Sequence, residues 1–308
     1  MNNVEIIVIG HILNEKIVFP DKVIAPVLGS PTAYSSVCMA KLGVKVGIVT
    51  KIGKDFPKSL FHVFDEAQVV QDGISVGQHS TNNELIYDEK GYKTLKYLTR
   101  AEDLFFEDLP DSYLDAKIMY ICPMDHEVNL GAIRKIAELG KIMVVDLGGY
   151  GGGTTALHPT DKSGYEIREL CPYFSIVKAS IEDCSYILGT EIGDESKIAE
   201  KILGWGAKMC VITLGAKGSF VKTREKELHV PPFPDTIENI VDQTGAGDCY
   251  AAGFLTHFLH SENPFASAVH ATATTSYAIE RSGGVVLERM PDREEVERRV
   301  KIINNIMK

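Results

Sequence analysis

Residues 4–9 form an almost unbroken apolar run that stops at Gly10, the pattern of a central strand covered by helices on both faces. Small and apolar residues dominate 32–41, where Pro31 suits a first helical turn and Gly43, after Leu42, is a stop signal. Residues 44–50 read as a second strand and 56–65 as a second helix, so a βαβ alternation begins that predicts a parallel sheet. It resumes with strands at 118–122, 142–145, 174–177 and 209–213, separated by helical stretches such as 128–139 and 181–188. The last third is richer in helix: 246–260, 264–281 and 293–306 each repeat apolar positions at three-to-four spacing.

One segment breaks the rhythm. From 72 to 100 polar residues alternate with aromatic or branched ones, turning at Asp88-Glu89-Lys90-Gly91, which predicts a hairpin outside the main sheet. Its expected partner is the β-rich stretch 12–27. The chain then reads as one α/β domain spanning 1–308, with a mostly parallel sheet and a discontinuous β lid from about 12–27 and 72–98 that covers a site. Such a lid leaves strand edges and an apolar face exposed, so a homodimer clasped through it is expected.

Composition narrows the function. Apolar residues make up 44% and charged residues 24% of the 308, as in a folded soluble protein. A net charge of −10 and the lack of any Lys/Arg-rich run argue against nucleic acid as a partner. No apolar stretch approaches the roughly 18 residues that span a bilayer, and the N-terminus lacks a positive leader, so no membrane partner and a cytoplasmic location are expected. The six cysteines contain no C-x-x-C pair and read as reduced, mostly buried thiols. His257 and His260, three apart on an apolar helix, read as ordinary helix residues.

The most informative stretch is Val241-Asp242-Gln243-Thr244-Gly245-Ala246-Gly247-Asp248, which runs straight into a helical pattern. Glycines at a helix start expose successive backbone N–H groups, and the helix dipole adds partial positive charge there, so an anion should bind. Those N–H groups would neutralise charge growing on a transferring phosphoryl group. Asp248 stands within reach as an acceptor for a hydroxyl proton. A bare G-x-G-D would equally serve as a turn with a helix cap.

The octet resembles the C-terminal signature of the ribokinase-like (PfkB) carbohydrate kinases, D-T-T-G-A-G-D, with Gln243 as the departure. The resemblance implies an ATP- and Mg²⁺-dependent phosphotransferase with a ribokinase-like three-layer fold. It implies that Gly245, Ala246 and Gly247 form the anion hole, that Asp248 is the base, and that Asp242 and Thr244 line a site for a monovalent cation such as K⁺. Gly29-Ser30-Pro31-Thr32-Ala33-Tyr34 is similar to the family's Gly-Gly substrate motif, with Ser30 at the second Gly and Tyr34 at the usual Asn. Asn14 and Glu15 follow the first strand where relatives carry a substrate-gripping Asp. Lys178-Ala179-Ser180-Ile181-Glu182-Asp183 resembles the N-x-x-E element in a K-x-S form, which implies nucleotide contacts at Lys178 and Ser180 and Mg²⁺ held through water by Asp183; an S-x-x-D helix cap explains the same spacing. Thr213, Gly215 and Gly218 match the turn that lines the nucleotide site, and 230–233 (VPPF) keeps the family's order.

After Asp146 the chain reads Leu147-Gly148-Gly149-Tyr150 and lacks the Asn and Arg of the family's D-x-N-x-R, which points to an unphosphorylated acceptor. The K-x-S form and VPPF resemble fructokinase-like and inositol-kinase-like members, so a sugar or polyol stands first as substrate and a nucleoside second. A catalytically silent nucleotide-binding regulatory module on the same fold is the remaining alternative. A dinucleotide oxidoreductase is disfavoured, because Gly151-Gly152-Gly153-Thr154-Thr155-Ala156 leads into a Gly/Pro-punctuated loop instead of a helix. That loop reads as flexible chain beside the active site. No G-x-x-x-x-G-K-[ST] exists for a P-loop.

Overall fold

The structure is a computed structural model and describes residues 4–89, 93–234 and 237–308. Strands β1 (Ile6–Ile9), β4 (Val46–Ile52), β5 (Val70–Val76), β8 (Ile118–Ile121), β9 (Ile142–Asp146), β10 (Ile176–Ser180) and β11 (Met209–Thr213) pair in parallel in the order β11-β10-β9-β8-β1-β4-β5. Antiparallel β12 (Ser219–Thr223) and β13 (Glu227–Val230) extend the β11 edge to nine strands. The pleat sends alternate residues to opposite faces. Ile6 and Val8 enter a core with Val37, Phe254 and Val300, while Ile7 and Ile9 enter another with Ile133, Ile167 and Ile202. A strand buried on both sides must be apolar throughout, which is why β1 reads as an unbroken run.

Helices α1 (Pro31–Lys41), α7 (Ala246–Ser261), α8 (Pro264–Ile279) and α9 (Arg293–Ile306) supply the first core, together with α2 (His62–Ala67). Helices α3 (Leu130–Ala137), α4 (Tyr165–Leu170), α5 (Ile181–Leu188) and α6 (Glu195–Gly204) supply the second. The expected helix over 56–65 starts later, as a 3₁₀ turn at Lys58–Phe61 that leads into α2. Pro57, held extended, sets that delay. All six cysteines are buried free thiols.

A second sheet lies apart, in the order β3-β2-β6-β7: β3 (Val23–Gly29), β2 (Leu13–Val18), β6 (Thr81–Tyr87) and β7 (Lys93–Thr99). The expected pairing of the 12–27 stretch with the later hairpin is present as the parallel register Leu13↔Thr81 to Val18↔Ile86. The hairpin is shorter than expected. Residues 72–76 belong to β5 on the edge of the main sheet, pairing with β4, and only β6 and β7 form the lid hairpin. Lys90 and Gly91 of the expected turn lie outside the described residues. Among the described residues no helix is long and apolar enough to cross a membrane.

Candidate active site

In parallel sheets the strand C-termini and helix N-termini converge on one edge, and ligands bind there. Three strands end here in chemistry: β9 in Asp146, β10 in Lys178 and Ser180, and β11 in Thr213, which lies in register beside Ser180. Helix α7 begins above them. Lys178 Nζ sits 2.5 Å from Asp146 Oδ2, both side chains 8% exposed. The Tyr120 hydroxyl and Gly148 N–H also donate to Asp146, at 3.4 and 3.1 Å. A buried ion pair survives only when its remaining lone pairs are satisfied, and these two donors do that.

The octet wraps over this pair. Gly245 adopts φ +74°, the left-handed region open to glycine, and a Cβ there would meet the Tyr34 ring at 2.5 Å. Gly247 lies over Lys178: a Cβ would stand 3.0 Å from Nζ. The Ala246 and Asp248 N–H groups bond back to Gln243 O and Gly245 O, at 3.0 and 3.1 Å. Of the four N–H groups from Gly245 to Asp248, that leaves those of Gly245 and Gly247 without a carbonyl among the described residues, so the turn's anion cradle rests on them more than on Ala246. Ser35 Oγ ties α1 to α7 through Asp248 O at 3.2 Å.

Asp248 is half-buried and its pKa is pushed up to about 7. Desolvation is the largest cause; Lys178 opposes it, and Asp146 and Asp183 add to it. Burial works against the Lys178 ammonium, but Asp146 and Asp248 outweigh it and hold its pKa above the ordinary lysine value. A carboxylate poised near neutrality beside a cation and free N–H donors can take a hydroxyl proton where a phosphoryl group is held.

Asp183 forms the reciprocal helix cap that its spacing allowed: Ser180 Oγ and N donate to Oδ2, and Asp183 N donates to Ser180 Oγ. Its Oδ1 accepts from Gly153 N at 2.8 Å, which brings the glycine loop beside the site, as expected. Thr213 is half-buried. Gly215 has open space around it, whereas a Cβ on Gly218 would strike Val230 O at 2.1 Å, so Gly218 answers to chain packing.

Across the cleft the lid contributes its inner face. Glu15, 8% exposed, sets Oε2 3.5 Å from where a Gly29 Cβ would be. Ser30 holds φ 115°, which explains why a glycine suits this position, and caps α1 by accepting from Ala33 N at 3.1 Å. The structure separates two residues expected together: Asn14 and Glu15 are neighbours in β2, so the pleat turns them to opposite faces. Asn14 bonds Asn82 and lines a surface hollow with Lys16 and Leu98, away from Gly29. Tyr34, buried beneath Gly245, spends its hydroxyl on Arg289 Nη1 at 3.2 Å.

Several side chains were not singled out in the sequence. Asn83 lies in register with Glu15 on β6 and is 1% exposed, with a buried Oδ1 that has no partner. Tyr97, opposite Asn83, donates to Thr154 O and tethers the lid to the glycine loop. The Tyr87 hydroxyl meets the Thr244 side chain. The alternation in Asn83-Glu84-Leu85-Ile86-Tyr87 put Asn83 and Tyr87 on one face, a signal that could have found them. Arg289 is 1% exposed, and its guanidinium donates to Asp242 O and Thr244 O at 2.8 and 2.7 Å. No local pattern marks it, since its partners in the octet and on α1 lie 45 or more residues away.

Comparison with known proteins agrees with this geometry. Residues 32–289 match the pfkB family carbohydrate kinases. A cytidine kinase of Thermococcus kodakarensis is 33% identical over 259 residues, 82% of this chain and 87% of that protein. A nucleoside kinase of Methanocaldococcus jannaschii is 24% identical over 266 residues, 83% of this chain and 80% of that one. Among solved structures, fructokinase with bound ATP from Xylella fastidiosa superposes with a TM-score of 0.81 at 23% identity, over 96% of this chain and 98% of that one. The chain belongs to the pfkB family of carbohydrate kinases, with the ribokinase fold, and is a phosphotransferase that acts on hydroxyl groups.

Proposed function

We propose that this protein is an ATP-dependent nucleoside kinase, with a cytidine-like nucleoside as the first acceptor to test. The observation that carries the kinase chemistry is Asp248, half-buried at the start of α7 with a pKa near 7, flanked by Lys178 and the Gly245 and Gly247 N–H groups. In this reading the acceptor hydroxyl gives its proton to Asp248 as its oxygen attacks the γ-phosphorus and the bond to the β,γ-bridging oxygen breaks. The Gly245 and Gly247 N–H groups neutralise the charge that spreads over the transferred oxygens. Lys178 orders the nucleotide phosphates alongside Ser180, Thr213 and Gly215. Three carboxylates, Asp146, Asp183 and Asp248, share one ammonium, and this excess of negative charge fits Mg²⁺ held through its waters by Asp146 and Asp183, where it would shield the phosphates.

The acceptor assignment reverses the order expected from sequence, where sugar or polyol came first. It is supported by the 33% identity to a cytidine kinase across most of both chains. Glu15 and the unpartnered Asn83 Oδ1 offer two acceptors side by side, a match for adjacent hydroxyls of a ribose. Sugars carry such hydroxyls too, so a panel of cytidine, uridine, adenosine, ribose, fructose and myo-inositol, read by ADP release, is the test. Turnover of cytidine at least about tenfold above every free sugar supports the proposal, and the reverse ranking removes it. The lid leaves Val23, Ile24 and Leu98 44–56% exposed, which supports a lid-clasped homodimer; only monomer by light scattering at micromolar concentration excludes it.

A further inference from the structure

The family resemblance implies a monovalent metal ion against Asp242 and Thr244, and the residues present do not fit one. The oxygens such an ion needs are already engaged. Arg289 Nη2 donates to Asp242 O and Thr244 O, Nη1 lies 3.3 Å from Gly284 O, and Nε donates to Ala278 O at 3.1 Å. The Asp242 carboxylate is taken as well: Oδ1 accepts from Thr244 N at 2.8 Å, and Oδ2 lies 3.4 Å from Nη1. One planar cation therefore joins the octet to the 278–284 segment through four carbonyls and one carboxylate. Guanidinium suits this task because its five donors fan out in a fixed plane and it is always charged.

We infer that Arg289 is a built-in cation of this active site, standing in place of a dissociable monovalent metal ion and making the kinase independent of K⁺. The inference rests on the kinase reading of the site. A second cation among the same oxygens would face an immobile like charge across a few ångströms with little water between, which opposes its binding. The position matters for catalysis through shape and charge. Arg289 fixes the carbonyl of Thr244, the residue before Gly245, and its Nη1 holds the Tyr34 hydroxyl, whose ring backs Gly245. Arg289 is thus a positioning residue that sets the Gly245 N–H and lends positive charge behind the anion cradle, without touching the substrate.

The test compares wild type, Arg289→Ala and Arg289→Lys at constant ionic strength in choline, Na⁺ or K⁺ chloride. Melting temperature and the rate of Mg-ATP turnover with cytidine are both read, so that failure of the acceptor assignment leaves the melting arm intact. Wild type should show rates within about twofold and equal melting temperatures in all three salts. Arg289→Ala should turn over at least about tenfold more slowly in choline. K⁺ or millimolar guanidinium should restore both its rate and its melting temperature, and neutral urea at the same concentration should not. Arg289→Lys, which keeps the charge, should stay insensitive to K⁺. A K⁺ requirement in wild type, seen in either readout, overturns the inference. So does an Arg289→Ala variant that folds but responds to neither cation, since that behaviour belongs to packing alone. Should Arg289→Ala not fold in any salt, the wild-type series and Arg289→Lys decide by the same criteria.

Discussion

Replacing Lys178 by Met should move the pH dependence of the reaction toward alkali. Lys178 is the cation that opposes the rise at Asp248, whose pKa burial, Asp146 and Asp183 together push up to about 7. The base must be ionised to accept a proton, so kcat/KM for the acceptor should fall about tenfold per unit below pH 7 in wild type, the limb of the free enzyme. At an effective dielectric near 20, removing a unit charge that acts across several ångströms is worth about 3 kcal/mol, or about two pK units. Asp146 loses its ion-pair partner in the same variant and its side chain can turn away from Asp248, which tempers the effect. The limb should therefore shift upward by one to two units, toward pH 8 or 9. Lys178→Arg keeps the charge and should keep the limb near 7. Initial rates from pH 5.5 to 9.5 at fixed ionic strength, with acceptor and Mg-ATP both well below their KM values so that the free enzyme is read, make the comparison. A Lys178→Met limb that stays at 7, or moves toward acid, refutes the electrostatic account of the base.

Gly245→Ala combines a left-handed backbone cost of about 1–2 kcal/mol with a Cβ driven into the Tyr34 ring at 2.5 Å, so the melting temperature should drop by several degrees and activity should collapse; an unchanged melting curve contradicts the packing described. Mg-ATP at 100 times its dissociation constant should stabilise the fold by about 2.7 kcal/mol, seen as a thermal shift, while NAD should give none. A shift with NAD and none with Mg-ATP would return the glycine loop at 151–156 to the dinucleotide reading.

What the sequence made legible follows from how local each feature is. The octet carries its own geometry, because glycine and a helix start are encoded within eight residues, and the βαβ strands announce themselves by being apolar on both faces. The lid was legible as alternation, but its border was not: β5, with only Gly73 fully buried between 70 and 76, reads like an exposed hairpin strand although it pairs with β4. The short strands β12 and β13 gave no separate signal beside the Gly215–Gly218 turn. Asn14 and Glu15 look alike in the sequence because sequence distance does not show which way a pleat points. Arg289 was invisible for a different reason, since its role exists only once residues 34, 242, 244, 278 and 284 have been folded around it.

The central claim is that Asp248 is the proton acceptor, and Asp248→Asn tests it most directly because the amide keeps the shape and loses the basicity. General-base assistance is worth about 10² to 10⁴ in rate. With the acceptor that wins the substrate panel, kcat for Asp248→Asn should fall by at least about 10², and Mg-ATP should bind with nearly wild-type affinity by calorimetry. Near-normal turnover in a folded, Mg-ATP-binding Asp248→Asn protein would reduce Asp248 to part of the α7 turn and contradict the account.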